Sequence, residues 1–155
     1  MTEIRFYHLQ RTTLEAALPQ MLEKTLARGQ RAVVMAGSPE RVEALAESLW
    51  TYDERSFLPH GSARDGRPER QPVWITALDE NPNGAEVLFL SDGARCARPE
   101  DYALCAELFD GNDEAAVTAA RRRWVDYKAA GFGLVYFQQD ERGRWIEKAR
   151  EPAGR

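Results

Sequence analysis

The segment from Arg31 to Ala36 constrains the fold most, because it contains the unbroken apolar run Ala32-Val33-Val34-Met35. A strand with one solvated face alternates apolar and polar residues, so an unbroken run suits a strand covered on both faces. Helical patterns flank it. Before it, Leu14, Leu18, Leu22 and Leu26 recur at four-residue spacing and form one apolar stripe. Thr12 or Thr13 can cap that helix, Pro19 is placed to kink it, and Gly29 ends it. After the run, Ser38 supplies a cap oxygen and Pro39 fits the first helical position, where its missing N–H costs nothing. Val42, Leu45, Leu49 and Trp50 continue that helix as an apolar face. With a first strand at Ile4–Leu9, the chain opens β-α-β-α. That order predicts an α/β fold with a mostly parallel sheet, covering helices and right-handed crossovers.

Further along, residues 61–72 are rich in Gly, Ser, Arg, Asp, Pro and Glu and read as a loop. Val73–Ala77 and Glu86–Ser91 read as strands separated by the turn Asn81-Pro82-Asn83-Gly84. Leu104–Phe109 fits a strand or a helix equally well. A long helix is predicted from about Asn112, as its cap, to Ala130, with Gly131 as its stop. Gly133–Gln139 and Arg144–Lys148 flank Asp140-Glu141-Arg142-Gly143 and predict a terminal hairpin. No internal repeat or long linker divides the chain. Residues 1–148 therefore read as one domain, and 149–155 as a frayed tail.

Composition narrows the function classes. The 155 residues are 43% hydrophobic, enough apolar material for a core without metals or disulfides. There are 21 basic and 25 acidic residues, a formal charge of −4, which disfavours general binding to duplex DNA. Cys96 and Cys105 have no zinc spacing and read as reduced, partly buried thiols. The N-terminus lacks a secretory h-region, and no stretch approaches the ~20 apolar residues of a membrane helix. A cytoplasmic location is expected, with no membrane contact.

Chemistry is sparse. The first strand-to-helix turn, Leu9-Gln10-Arg11-Thr12-Thr13, has no glycine. Dinucleotide folds need glycines there so that backbone N–H groups can approach a pyrophosphate. The second turn has one glycine, Gly37, and then a proline close behind it. A nucleotide-dependent enzyme is thus disfavoured, and no cofactor is expected. His8 and His60 lack a surrounding catalytic or metal motif and read as structural or surface residues. Neither a catalytic set nor a metal site is expected. On the long helix, Arg121, Trp124, Val125 and Lys128 are spaced i, i+3, i+4 and i+7 and share a face. Two cations around an apolar patch suit a peptide both acidic and aromatic. A competing stripe of Val117, Ala120, Trp124 and Tyr127 would place Trp124 in the core instead. A third possibility uses Arg121, Arg122 and Arg123 with Trp124 as a stacking platform for single-stranded nucleic acid.

Four segments in order carry a resemblance. They are Phe6-Tyr7, Leu49-Trp50, Ser56-Phe57-Leu58-Pro59-His60 and the helix end Arg123-Trp124-Val125-Asp126-Tyr127-Lys128-Ala129-Ala130-Gly131-Phe132. The combination resembles the chi subunit of bacterial DNA polymerase III over about residues 4–138. The resemblance implies a Rossmann-like three-layer α/β/α sandwich without nucleotide chemistry. It implies a non-catalytic clamp-loader accessory subunit, a monomer that forms a heterodimer with the psi subunit. It also implies binding of the acidic, Phe-terminated tail of single-stranded DNA-binding protein, with DNA engaged only indirectly. Carried over by position, Arg121 and Lys128 meet tail carboxylates, and Trp124 forms a wall for the terminal Phe. Val125 stands where relatives can carry a base. Arg122 or Arg123 could restore that charge, although helical phase turns them partly elsewhere. Trp50, Phe57 and His60 fall in the region of the psi contact, with Phe57 foremost.

Overall fold

The computed structural model describes residues 2–51 and 58–154. Among these, strand β1 (Glu3–Leu9) leads to helix α1 (Leu14–Ala27), strand β2 (Ala32–Met35) and helix α2 (Pro39–Thr51). Strands β3 (Gly61–Ser62), β4 (Val73–Thr76), β5 (Val87–Leu90) and β6 (Leu104–Asp110) follow. Helix α3 (Glu114–Ala129) and strands β7 (Gly133–Gln139) and β8 (Trp145–Glu151) complete the fold. The sheet runs β3-β4-β2-β5-β6-β1-β7-β8. Every pairing in it is parallel except β7 with β8.

Burial explains the apolar runs. Every residue of β2, β4 and β5 is buried, because α1 and α2 cover one face and other segments cover the opposite one. The first core packs Leu18, Leu22, Leu45 and Leu49 on Val34, Ile75, Phe89 and Leu108. The second packs Ala120 and Tyr127 of α3, with Tyr102 and Ala85, on Ile4, Phe6, Leu88 and Leu134. β1 lies between β6 and β7 and alternates: Ile4, Phe6 and His8 turn toward the α3 side, while Arg5 and Tyr7 turn away.

Several boundaries differ from the sequence reading. Leu104–Asp110 is a strand between β5 and β1, the ambiguity resolved by parallel pairing on both sides. Residues 61–72 hold the short strand β3 and a 3-10 turn at Pro68–Arg70. The Asn81–Gly84 turn joins strands that flank β2 on opposite sides; Asn83 Nδ2 donates to the carbonyls of Ala32 and Gln71 at 3.1 and 2.8 Å. β8 continues past Lys148 to Glu151, and the Gly154 N–H donates to Gly131 O at 3.0 Å, so the expected tail is partly fastened. Backbone pairing with β7 offsets the chain entropy that would fray it. A bulge opposite Tyr136 and Phe137 leaves Lys148 out of register on this edge strand, a guard against edge-to-edge association.

Candidate functional site

Helix α3 is fixed at both ends. Its cap is Asp113 rather than Asn112: the Asp113 carboxylate accepts from Ala115 N at 3.0 Å. Asn112 Nδ2 instead donates to Gln10 O at 3.2 Å. At the far end Gly131 adopts φ +89°, a left-handed value that suits glycine. The N–H groups of Gly131 and Phe132 then close on the carbonyls of Lys128 and Tyr127 at 3.0 and 3.2 Å. Phe132 packs edge-on against Tyr127, the apolar contact typical of such a helix stop.

A buried ion pair sets the rotation of α3. Glu107 on β6 is 2% exposed, and both its oxygens accept from Arg123 Nε at 3.1 Å. Tyr127 OH donates to Glu107 Oε2 at 2.8 Å. Burial pushes the Glu107 carboxyl up, and Arg123 and Tyr127 pull the other way by favouring its charge. Burial and the neighbouring carboxylate push the Tyr127 phenol up. Arg123 is therefore committed to the interior and cannot replace the base missing at position 125; Arg122 stays exposed.

With Arg123 and Tyr127 inward, the face predicted from spacing lies outward. Arg121, Val125 and Lys128 are exposed, Val125 at 62%. Trp124 is half-buried. It meets Phe6 edge-on at 5.4 Å and Tyr136 at 5.8 Å between ring centroids. Trp124 thus belongs in part to the core stripe that Val117, Ala120 and Tyr127 continue. Lys128 Nζ lies 3.1 Å from Glu151 Oε1 on β8. Burial pushes the Tyr136 phenol up, and the Arg121 charge opposes that shift. His8 Nδ1 lies 2.7 Å from Tyr136 OH, and burial, then Arg121, holds the imidazole below its ordinary pKa. Gly111 closes over that ring, where an added Cβ would come 2.1 Å from His8 Cδ2. Spacing could not find Tyr136 or Glu151, which meet Trp124 and Lys128 only through strand register. Alternation along the hairpin is the one signal that points to them.

The second group of residues assembles elsewhere. Trp50, at the end of α2, is 57% exposed, and its ring leans on His60 at 4.8 Å. His60 is buried, with its ring nitrogens 2.8 and 3.0 Å from the carbonyl oxygens of Leu58 and Ala46. Phe57 lies outside the described residues. Cys96 and Cys105 are free thiols, and burial pushes Cys96 up to about 11 and Cys105 higher. Among the described residues, no cluster of three His, Cys, Asp or Glu could hold a metal, and no helix is long and apolar enough to cross a membrane.

The phosphate position of the fold is filled from within. The N–H groups of Gln10, Arg11 and Thr12 all donate to Gln139 Oε1, at 3.2, 2.9 and 3.3 Å. Gln139 Nε2 donates to Thr12 Oγ1 at 2.9 Å and to Gly143 O at 3.3 Å. Converging N–H groups at a strand-to-helix turn are what a phosphate needs; here a carboxamide has taken them. A cleft of about 790 Å³ opens beside this turn, where the connections from β1 and β6 diverge. Glu15, Asp92, Asp110 and Asp113 line it, and Arg41 is already paired with Glu15 and Asp92 at 3.3 and 3.1 Å.

The fold and these surfaces define a Rossmann-like α/β protein whose phosphate turn is closed by its own side chain. Residues 1–135 match the family described as DNA polymerase III chi subunit, HolC. A curated relative, "Probable DNA polymerase III subunit chi" of Rickettsia prowazekii (strain Madrid E), is 31% identical over 105 residues. That alignment covers 66% of this chain and 64% of the relative, so the chain spans somewhat less than two thirds of the relative's length. The chain belongs to the DNA polymerase III chi subunit family, a family of accessory subunits serving DNA replication.

Proposed function

We propose that this chain is a non-catalytic adaptor that receives the acidic, Phe-terminated tail of single-stranded DNA-binding protein on α3 and joins the clamp loader through a psi subunit. The observation that carries the reading is the half-buried Trp124 between exposed Arg121 and Lys128 on a helix whose rotation the buried Glu107–Arg123 pair fixes. A peptide with several carboxylates gains charge-assisted hydrogen bonds from the two cations. Its terminal Phe gains ~2–3 kcal/mol from apolar burial against Trp124. Ordering a flexible tail offsets part of that gain, so a Kd near 1 μM, about −8 kcal/mol, is expected. Val125 supplies apolar surface in place of a third cation, which shifts recognition from charge toward the Phe ring.

The psi contact is assigned to the corner formed by Trp50 and His60, with Phe57 beside them in sequence. An exposed indole set on a buried, hydrogen-bonded imidazole is a suitable anchor for a partner chain. The deciding experiment is fluorescence anisotropy with a labelled acidic peptide ending in Phe, against wild type and the double variant Arg121→Glu/Lys128→Glu. Salt-sensitive micromolar binding, lost in the double variant, is expected. Absence of wild-type binding at low salt would overturn the tail assignment. Tight binding of a bare oligonucleotide would favour a direct nucleic-acid role instead.

A further inference from the structure

Strand β8 lies beyond the residues that match the family, 1–135. Its position beside α3 follows from register. On β7, Leu134 and Tyr136 face α3, since Leu134 shares a core with Tyr127 and Tyr136 meets Trp124. Gln138 follows on the same side by alternation. Ile146 pairs with Gln138 and Glu151 with Leu134, so both β8 residues project toward the α3 side. The Lys128–Glu151 contact of 3.1 Å places the end of β8 directly against the end of α3. Ile146 is 40% exposed and stands apart from that ion pair along the strand. The surface that carries Arg121, Trp124, Val125 and Lys128 therefore has a second side, with an apolar residue and a carboxylate on it.

We propose that β8 forms the second wall of the tail-binding surface, with Ile146 as an apolar lip for the peptide's terminal Phe and Glu151 as an internal competitor for Lys128. This rests on the tail-binding reading above. Glu151 presents to Lys128 the same group that a peptide carboxylate would present. An incoming tail must exchange one exposed ion pair for another, so this end of the surface contributes little net attraction in the wild type. Recognition is thereby weighted toward Arg121, which has no ion-pair partner among the described residues, and toward ring burial.

The test is peptide anisotropy on the full chain, using an acidic peptide ending in Phe, with Glu151→Gln, Ile146→Ser, Arg121→Glu and, as a control, Leu78→Ser. Leu78 is exposed and follows β4, with five strands between it and β8. Glu151→Gln should tighten binding about two- to fivefold at low salt, converging on wild type at high salt as screening removes the Lys128 contribution. Ile146→Ser should weaken it about fivefold at any salt, and Leu78→Ser should change nothing. Melting curves taken alongside keep a folding defect from being read as a binding defect. If wild type binds, Arg121→Glu abolishes binding, and both β8 variants equal wild type, β8 is no wall and the inference is overturned while the tail reading stands. If wild type itself does not bind, the tail reading fails and this inference falls with it.

Discussion

Trp124 and Trp50 each sit on a helix, yet they differ in support. Trp124 is held edge-on by Phe6 and Tyr136, and its helix is locked by a buried ion pair beneath. Trp50 is more than half exposed, on the final turns of α2, and leans on His60. The two surfaces lie on opposite faces of the sheet and toward opposite ends: α2 packs over the β4 side with the first core, α3 over the β7 side with the second. A ring with one edge in the core is a fixed wall, ready for a ligand that pays for its own ordering. A ring lying on the surface gains most when a partner covers it. The proposed function uses this contrast: it gives α3 to a short acidic tail and the Trp50 corner to a broader partner.

Four experiments sharpen or break this contrast. The largest effect is expected from Arg123→Met, which leaves Glu107 buried without its counter-charge and with only the Tyr127 hydroxyl to support it. Urea unfolding should show a loss of about 3–5 kcal/mol, and a loss below 1 kcal/mol would mean that the pair does not set the rotation of α3. Next, Arg121→Glu/Lys128→Glu should weaken tail binding at least tenfold with little change in unfolding midpoint, and should leave capture of psi intact. Trp50→Ala should do the reverse, weakening co-elution with psi and sparing the tail; identical behaviour of the two variants would dissolve the two-surface picture. Gln139→Ala strips an acceptor from the N–H groups of Gln10, Arg11 and Thr12 and should cost about 1–3 kcal/mol in unfolding.

The smallest effect is a pH dependence from His8. Its folded pKa is depressed by burial and then by Arg121, with Asp110 and the Gly111 carbonyl opposing. The unfolded chain therefore binds the proton more readily. His8 stabilises the fold fully above the unfolded value near 6.5, and that share is lost as pH falls through the folded value. Unfolding at pH 8 and pH 5.5, wild type against His8→Gln, should show a smaller pH dependence in the variant. Equal dependence would assign the effect to other groups.

Much of this was legible in local pattern. The apolar run at Ala32–Met35 specified a strand covered on both faces. The spacing of Arg121, Trp124, Val125 and Lys128 specified a shared helix face. The glycine-free first turn argued against a dinucleotide site, though the filling of its N–H groups by Gln139 was invisible. Leu104–Phe109 could not be assigned, because an apolar run of that length fits either element until its neighbours are known. The hairpin was expected, but not its reach to Glu151 or its place beside α3, since both depend on register with β7.

The sequence by itself determined the opening β-α-β-α order, the glycine stops of α1 and α3, and which helix residues share a side, because these follow from periodicity over a few residues. Only the tertiary structure decided which of three consecutive arginines is spent. Arg121, Arg122 and Arg123 have the same side chain, and Arg123 alone sits over Glu107, a residue sixteen positions earlier on a neighbouring strand. Likewise Gln139 meets a turn 127 to 129 positions away. Such pairings are fixed by strand order and register, which no short window of sequence contains.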